Sequence, residues 1–254
     1  MINIAVVMAM AEEMSVLSQI LEKNGFNKTR PHSYENAKLR VTIIRCGVKV
    51  SKMKLLEKKK DLLKQCDYVL IAGICGASCP DYRIGELVIP DYVCQADDRA
   101  KVLRNHKSAF DGFDLYAGIG RNPLRSCRML GTSDHLAGQA EKAVLRAGGI
   151  DVVDMESYRI FEWMAQHKIA VSCMRTISDT FTQRFAPEHM LIEFMRGRLK
   201  FLIKNFYRKP IICYRLINIY RTSNKAMRLL ARYILQWLYY IDSCNDIAER
   251  SIHE

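Results

Sequence analysis

The residues able to do chemistry gather at a few points in the chain. VVDMES (152–157) ends a short apolar run in two carboxylates, Asp154 and Glu156, straddling Met155. Asp179 comes 23 residues after Glu156 and closes MRTISD, with Arg175 and Ser178 just before it. AMAEEM sets Glu12 and Glu13 at the end of another apolar run, and AGICGA reads as a Gly-x-x-Gly turn, Gly73 and Gly76 with Ile74 between them. An unpaired carboxylate buried in a core costs several kcal/mol or is driven neutral. At the C-terminal mouth of a parallel sheet, where open α/β folds place their ligand crevices, such groups are tolerated. Each also has a plain structural use: helix-start charges for Glu12 and Glu13, an N-cap for Asp179, a tight connection for the glycines. Brought to one sheet edge together, they read as a ligand site.

The elements that must position them alternate along the chain. Apolar runs suited to buried parallel strands are 2–10, 39–47, 68–76, 86–93, 128–134, 151–155 and 170–178. Helical patterns lie between several of them, at 12–25, 50–66, 135–149 and 156–168. This order predicts an α/β fold with three layers, its central sheet twisted and mostly parallel. Gly118-Ile-Gly120 is followed by Arg-Asn-Pro, so it is no dinucleotide fingerprint.

Composition excludes several classes. The 49% of hydrophobic residues argues against global disorder. MINIAVVMAM lacks the basic start of a signal peptide, and the nine scattered cysteines then read as reduced thiols, which predicts a cytoplasmic protein. With no CxxC, HxxxH or HExxH, no metal site and no cofactor are indicated. The net charge of +12 is concentrated: no Asp or Glu occurs between Phe194 and Ile241, where 11 Lys and Arg lie. A near-neutral body (1–185) with a basic amphipathic helical extension (186–254) is expected.

The body resembles the purine nucleoside phosphorylase/nucleosidase superfamily, most simply its 5′-methylthioadenosine/S-adenosylhomocysteine nucleosidase branch. The pieces IAVVMAMAEEM (4–14), RCGVKV (45–50), VLIAGICGA (69–77), RIGELVIPD (83–91), VVDMES and RTISD follow the family's order over about residues 1–180. The resemblance implies cleavage of a purine N-glycosidic bond. Asp179 would be the acid that protonates or hydrogen-bonds purine N7, holding or sharing a proton near neutral pH through desolvation. Glu156 would accept hydrogen bonds from the ribose hydroxyls and stabilise cationic ribosyl character. Met155 would pack beneath the sugar, Glu13 would activate water, and Arg175 would steady an anionic nucleophile or pair with Glu13. Gly73, Ile74, Gly76, Asp154 and Ser178 complete the substrate site so implied.

Departures from the pattern bear on nucleophile and substrate. Phosphate-using members present an Arg and a Ser at positions that match Ile71 and Ile74, and a dianion needs donors there. Water is therefore the expected nucleophile, with phosphorolysis as the alternative if Arg45 or Lys49 supplies charge. Ile74, the run KAVLRAGGIDVVDMES and the basic tail resemble instead the hopanoid-associated branch, which acts on adenosylhopane, an adenine nucleoside linked to a polycyclic lipid. Ordinary nucleosidases are taken to lack such a tail. From Pro187 it reads as a helix, then as two more with Ser223 as a possible cap. Its basic and apolar sides suit either an anionic membrane surface (194–241) or a cap on the sheet. Nucleic acid lacks a supporting motif, and the resemblance implies a homo-oligomer. A non-catalytic binding protein that kept the fold is the alternative from another class, and retention of Glu13, Glu156 and Asp179 together argues against it.

Overall fold

The computed structural model describes residues 1–47, 53–98, 100–111, 113, 125–196 and 198–252. Its strands are β1 (Ile2–Met8), β2 (Asn27–Arg30), β3 (Ser33–Glu35), β4 (Leu39–Arg45), β5 (Tyr68–Ala77), β6 (Leu87–Gln95), β7 (Val102–Arg104), β8 (Arg125–Thr132), β9 (Val152–Asp154) and β10 (Ser172–Asp179). Every apolar run singled out in the sequence is a strand. β2, β3 and β7 were not foreseen, and β2 shows why: NKTR is polar and exposed throughout, so it carries no apolar signal.

β5 is the hub of the sheet. It pairs in parallel with β1 and β10 and antiparallel with β9. β9 continues through β8 and β6 back to β10, so these four strands and β5 close a ring of five. Among the foreseen strands the pairings are parallel except β5–β9 and β6–β10, and the three short strands add antiparallel edges. The sheet is therefore mixed.

The helices are α1 (Ala11–Lys23), α2 (Met53–Glu57), α3 (Lys60–Lys64), α4 (Gln139–Ala147), α5 (Ser157–Gln166), α6 (Glu188–Arg196), α7 (Arg198–Asn205) and α8 (Pro210–Ile252). The single helix read over 50–66 is thus two short ones. Lys49 and Gly118-Ile119-Gly120 lie outside the described residues.

The layers follow from the two-residue period of β1. Ile4, Val6 and Met8 face one side, packed with Leu17 and Leu21 of α1 and with Leu230, Ile234 and Trp237 of α8. Ala5 and Val7 face the other, with Leu56, Leu63, Phe161 and Met164 of α2, α3 and α5. Helices on both faces of the sheet make the expected three layers.

The chain beyond 185 does not stand off from this body. Residues 230–241 of α8 bury Leu230, Ile234, Trp237, Leu238 and Ile241 in the β1–α1 core. Trp237 Nε1 donates to the Ala109 carbonyl at 2.8 Å, and Tyr233 donates to that of Gly85 at 3.2 Å. The helix also runs unbroken through Ser223, which caps nothing. RTSN contains no Pro or Gly to stop it, and Thr222 Oγ1 turns back to the Ile219 carbonyl at 3.1 Å.

Candidate active site

Glu13 sits in the first turn of α1, where β1 ends. Its Oε2 accepts the Met10 N–H at 3.0 Å and its Oε1 the Ile74 N–H at 3.1 Å. It therefore caps its own helix and ties the helix to β5. Burial pushes this carboxyl above its usual range, against the Met10 N–H, the Arg175 charge and the N–H groups of Ile74 and Ala9. A carboxylate so tuned is a better base near neutrality.

The Gly-x-x-Gly turn expected at 73–76 is not a turn: all of 68–77 is strand. Its glycines serve the neighbouring strand instead. β10 pairs Arg175 with Gly73 and Asp179 with Gly76. A Cβ at 73 would lie 2.2 Å from Arg175 Nη1, and one at 76 would lie 2.6 Å from Asp179 Oδ2. Charged side chains of β10 cross β5 where β5 has no side chain.

Arg175 does not pair with Glu13, as the sequence allowed, but with Asp154. Its Nη2 lies 2.8 Å from Asp154 Oδ2 and 2.6 Å from Ser157 Oγ, both buried. Burial opposes the guanidinium charge, yet Asp154, with Cys173, Glu156 and Glu13, outweighs it and holds the proton more firmly than usual. Asp154 also accepts Thr132 Oγ1 at 2.8 Å and the Ser157 N–H at 3.2 Å. Its oxygens are engaged in joining β9, α5 and β10, although it borders the cavity described below.

Glu156 is different. It ends the β9 corner just before α5, with its carboxyl group held by no other side chain among the described residues. Burial, then the charge of Asp154, pushes it up to about 8, with Arg175 opposing. Such a group is available to a ligand.

Asp179 was expected to hold or share a proton by desolvation. In the structure it is half of a buried ion pair. Lys142 of α4, only 1% exposed, contacts Asp179 Oδ2 and donates to the Thr180 carbonyl at 3.0 Å. Asp179 Oδ1 lies 2.7 Å from Ser178 Oγ, which also reaches the Cys75 carbonyl at 3.1 Å. Lys142 escaped the sequence reading. The available signal was helical spacing: Lys142 shares the buried face of α4 with Leu145, while Val144 points out at 71% exposure.

One cavity of about 270 Å³ joins these groups. Glu13, Glu156, Arg175, Ser178 and Asp179 border it, along with Gly73, Ile74, Gly76, Asp154 and Met155. Its other wall is mostly apolar and comes from the chain beyond 185, through Leu191, Phe194, Leu216, Ile219 and Met227, with Arg198, Tyr220, Ser223 and Asn224 set among them. The volume lies just under the ~300–1,000 Å³ usual for small-molecule sites, and a mostly apolar lining with a few convergent polar groups fits that class. Ile71, the other isoleucine set against phosphate binding, is buried in the core and does not border the cavity.

Residues 3–198 match a family model described as the phosphorylase superfamily. No curated protein matches the chain. Among solved structures, a mutant of the Helicobacter pylori 5′-methylthioadenosine nucleosidase MTAN, with 5′-methylthioadenosine in its active site, is similar at 12% identity and TM-score 0.69. That match covers 94% of this chain and 99% of the other. Futalosine hydrolase of Helicobacter pylori is similar at 13% identity and TM-score 0.70, over 94% and 98%. The S. pneumoniae 5′-methylthioadenosine/S-adenosylhomocysteine nucleosidase with a transition-state inhibitor gives 17% and 0.68, over 93% and 98%. At these identities the likeness is one of fold. A match over 94% of the chain leaves about 15 residues unmatched, so most of the segment after 185 is common to these folds. That corrects the expectation of a tail the nucleosidases lack, and the core packing of α8 is the physical reason.

Proposed function

Because this chain belongs to the phosphorylase superfamily, we propose that it cleaves the N-glycosidic bond of a purine nucleoside, with water as the nucleophile. One observation carries this reading. The cavity brings together a buried base, a carboxyl group free of side-chain partners and a buried Asp–Lys pair, in Glu13, Glu156 and Asp179–Lys142. These are the three groups that the reaction requires. Asp179 meets N7 of the leaving base and Lys142 holds its carboxylate, so the proton passed to the purine belongs to the pair. As the C1′–N9 bond lengthens, its electrons move into the base and positive charge grows on the ribosyl ring. Glu156, whose carboxyl group no other side chain holds, is placed to accept the ribose hydroxyls and, as a carboxylate, to stabilise that charge. This interaction strengthens as the charge develops, so it favours the transition state over the bound substrate. Glu13 takes a proton from the attacking water.

The cations at this end support water over phosphate. Arg175 is engaged by Asp154 and Ser157, and Lys142 by Asp179. Arg45 is exposed and does not border the cavity. Arg198, on the wall from the chain beyond 185, donates to Tyr220 Oη at 2.6 Å and lies over its ring, so each cation bordering the cavity already has a partner among the described residues. The similar solved structures are of nucleosidases and a hydrolase, which agrees with this reading.

The apolar wall from α6 and α8 supports an adenine nucleoside with an apolar group on its ribose 5′ carbon. A short thioether, as in methylthioadenosine, and the lipid arm of an adenosylhopane-like nucleoside are the two candidates. Adenine release from methylthioadenosine, followed by chromatography with and without phosphate, tests the proposal. Equal release in both conditions is expected. Release that requires phosphate would make the enzyme a phosphorylase, and no release from either candidate would sink the catalytic reading.

A further inference from the structure

The outer face of α8 is apolar at one end and basic along the rest. Phe206, Tyr207, Ile211 and Tyr214 are 54%, 94%, 66% and 71% exposed. They are four of the nine exposed large apolar side chains among the described residues, and all fall within nine positions at the α7–α8 junction. Phe206 and Tyr207 meet edge to face at 5.9 Å. Ile211 and Tyr214 point outward from α8 while Cys213 and Leu216 point into the α6–α7 cluster. The first turns of α8 thus carry a second apolar face that the described chain does not cover.

That face continues as a stripe. From Ile211 and Tyr214 the same side of the helix runs on through Arg221, Lys225, Arg228 and Arg232, all exposed, at steps of three, four or seven residues. At 100° per residue these positions stay within about one third of the circumference, over a length of about 30 Å. Lys204, Arg208 and Lys209 flank the apolar end. Arg208, Lys209 and the four stripe cations form no ion pair among the described residues, and Lys204 reaches only Glu193, at 3.8 Å. No described helix is long and apolar enough to cross a membrane.

We propose that this face lies on an anionic lipid surface, with the α7–α8 junction inserted at headgroup depth and the basic stripe along the phosphates. Insertion of a few aromatic and aliphatic side chains plus a row of cations is the physical pattern of a surface-bound amphipathic helix. The expectation of membrane contact over 194–241 therefore narrows, because the inner side of 230–241 is core. Charge argues against a second copy as occupant. Two such faces in contact would set cations against cations, with no acid between 194 and 241 to answer them. The inference does not depend on the catalytic reading, and its test uses no substrate.

The full-length protein is sedimented with vesicles of pure phosphatidylcholine and of phosphatidylcholine with 30% phosphatidylglycerol, at low and high salt. Expected is binding to the anionic vesicles alone, weakened by salt. Tyr207→Ser/Ile211→Ser/Tyr214→Ser and Arg221→Glu/Lys225→Glu/Arg228→Glu should each bind about tenfold or more weakly, with melting temperatures near wild type. Wild type left in the supernatant with anionic vesicles at low salt overturns the proposal. So does a dimer in solution that the serine variant dissociates, which would make the face an interface between copies. Tight binding to single-stranded RNA that survives the serine substitutions, with none to vesicles, would assign the stripe to nucleic acid and overturn it as well.

Discussion

Gly76→Ala tests the placement of Asp179 with a single added methyl group. The new Cβ would stand 2.6 Å from Asp179 Oδ2 and 3.2 Å from its Cγ and Oδ1, where ordinary contact begins at 3.4 Å. The carboxylate must therefore retreat by about 0.8 Å. It has little freedom to do so, because Lys142 holds one oxygen and Ser178 lies against the other. The backbone of Gly76 is fixed as well, paired with β10 on one side and β9 on the other. Misplacing a catalytic group by ~1 Å costs about 10²-fold in rate, so kcat/KM for adenine release should fall about a hundredfold. Overpacking a tight site costs about 1–3 kcal/mol, and at this chain length each kcal/mol lowers Tm by about 2–4 °C. Gly138→Ala serves as the control, since a Cβ there meets nothing within 4 Å. The assay is chromatographic initial rates beside thermal melts of both variants. A Gly76→Ala protein that melts lower yet keeps kcat/KM within about threefold of wild type would refute the role given to Asp179.

Other consequences concern the buried charges. Lys142→Met leaves Asp179 buried without its ammonium and should cost about 3–5 kcal/mol in denaturant unfolding; adding Asp179→Asn should recover much of that loss, and additive losses would show that the pair does not interact. Asp179→Asn alone should still bind the nucleoside, read by calorimetry, while base release falls by orders of magnitude; unchanged release would remove the acid from the mechanism. For Glu156 the folded value is raised to about 8, so the native state keeps a proton that the unfolded chain releases near 4.5. Stability from this group is therefore complete below 4.5 and is lost as pH rises through about 8. Wild-type Tm should decline across that window and Glu156→Gln should flatten the decline; a wild-type Tm that climbs with pH, or an equally steep decline in the variant, would contradict the burial ascribed to Glu156.

Local pattern carried the sequence reading a long way, and its failures share a cause. DMES and RTISD could be placed at strand ends because short apolar runs, here of five to nine residues, mark buried strands whatever their neighbours. The order of runs and helical stretches was enough for the three layers. Partnership is another matter. Glu13 looked like a helix-start charge and is one, but nothing near it in sequence says that its second oxygen takes the Ile74 N–H, 61 residues on. Gly73 and Gly76 were read as a turn because Gly signals turns locally, whereas their use is set by side chains on β10 about a hundred residues away.

By itself, then, the sequence determined which carboxylates reach a sheet edge, that the fold is α/β, and that the end of the chain is basic and helical. Only the tertiary structure decided that Arg175 belongs to Asp154, that Lys142 holds Asp179, and that α8 closes the core with one face and leaves another bare. The division is physical. Strand and helix periodicity arise from interactions within a few residues, which the chain displays in order. A buried charge finds its partner only where packing removes water and brings distant segments together, as with Lys142 and Asp179, 37 residues apart.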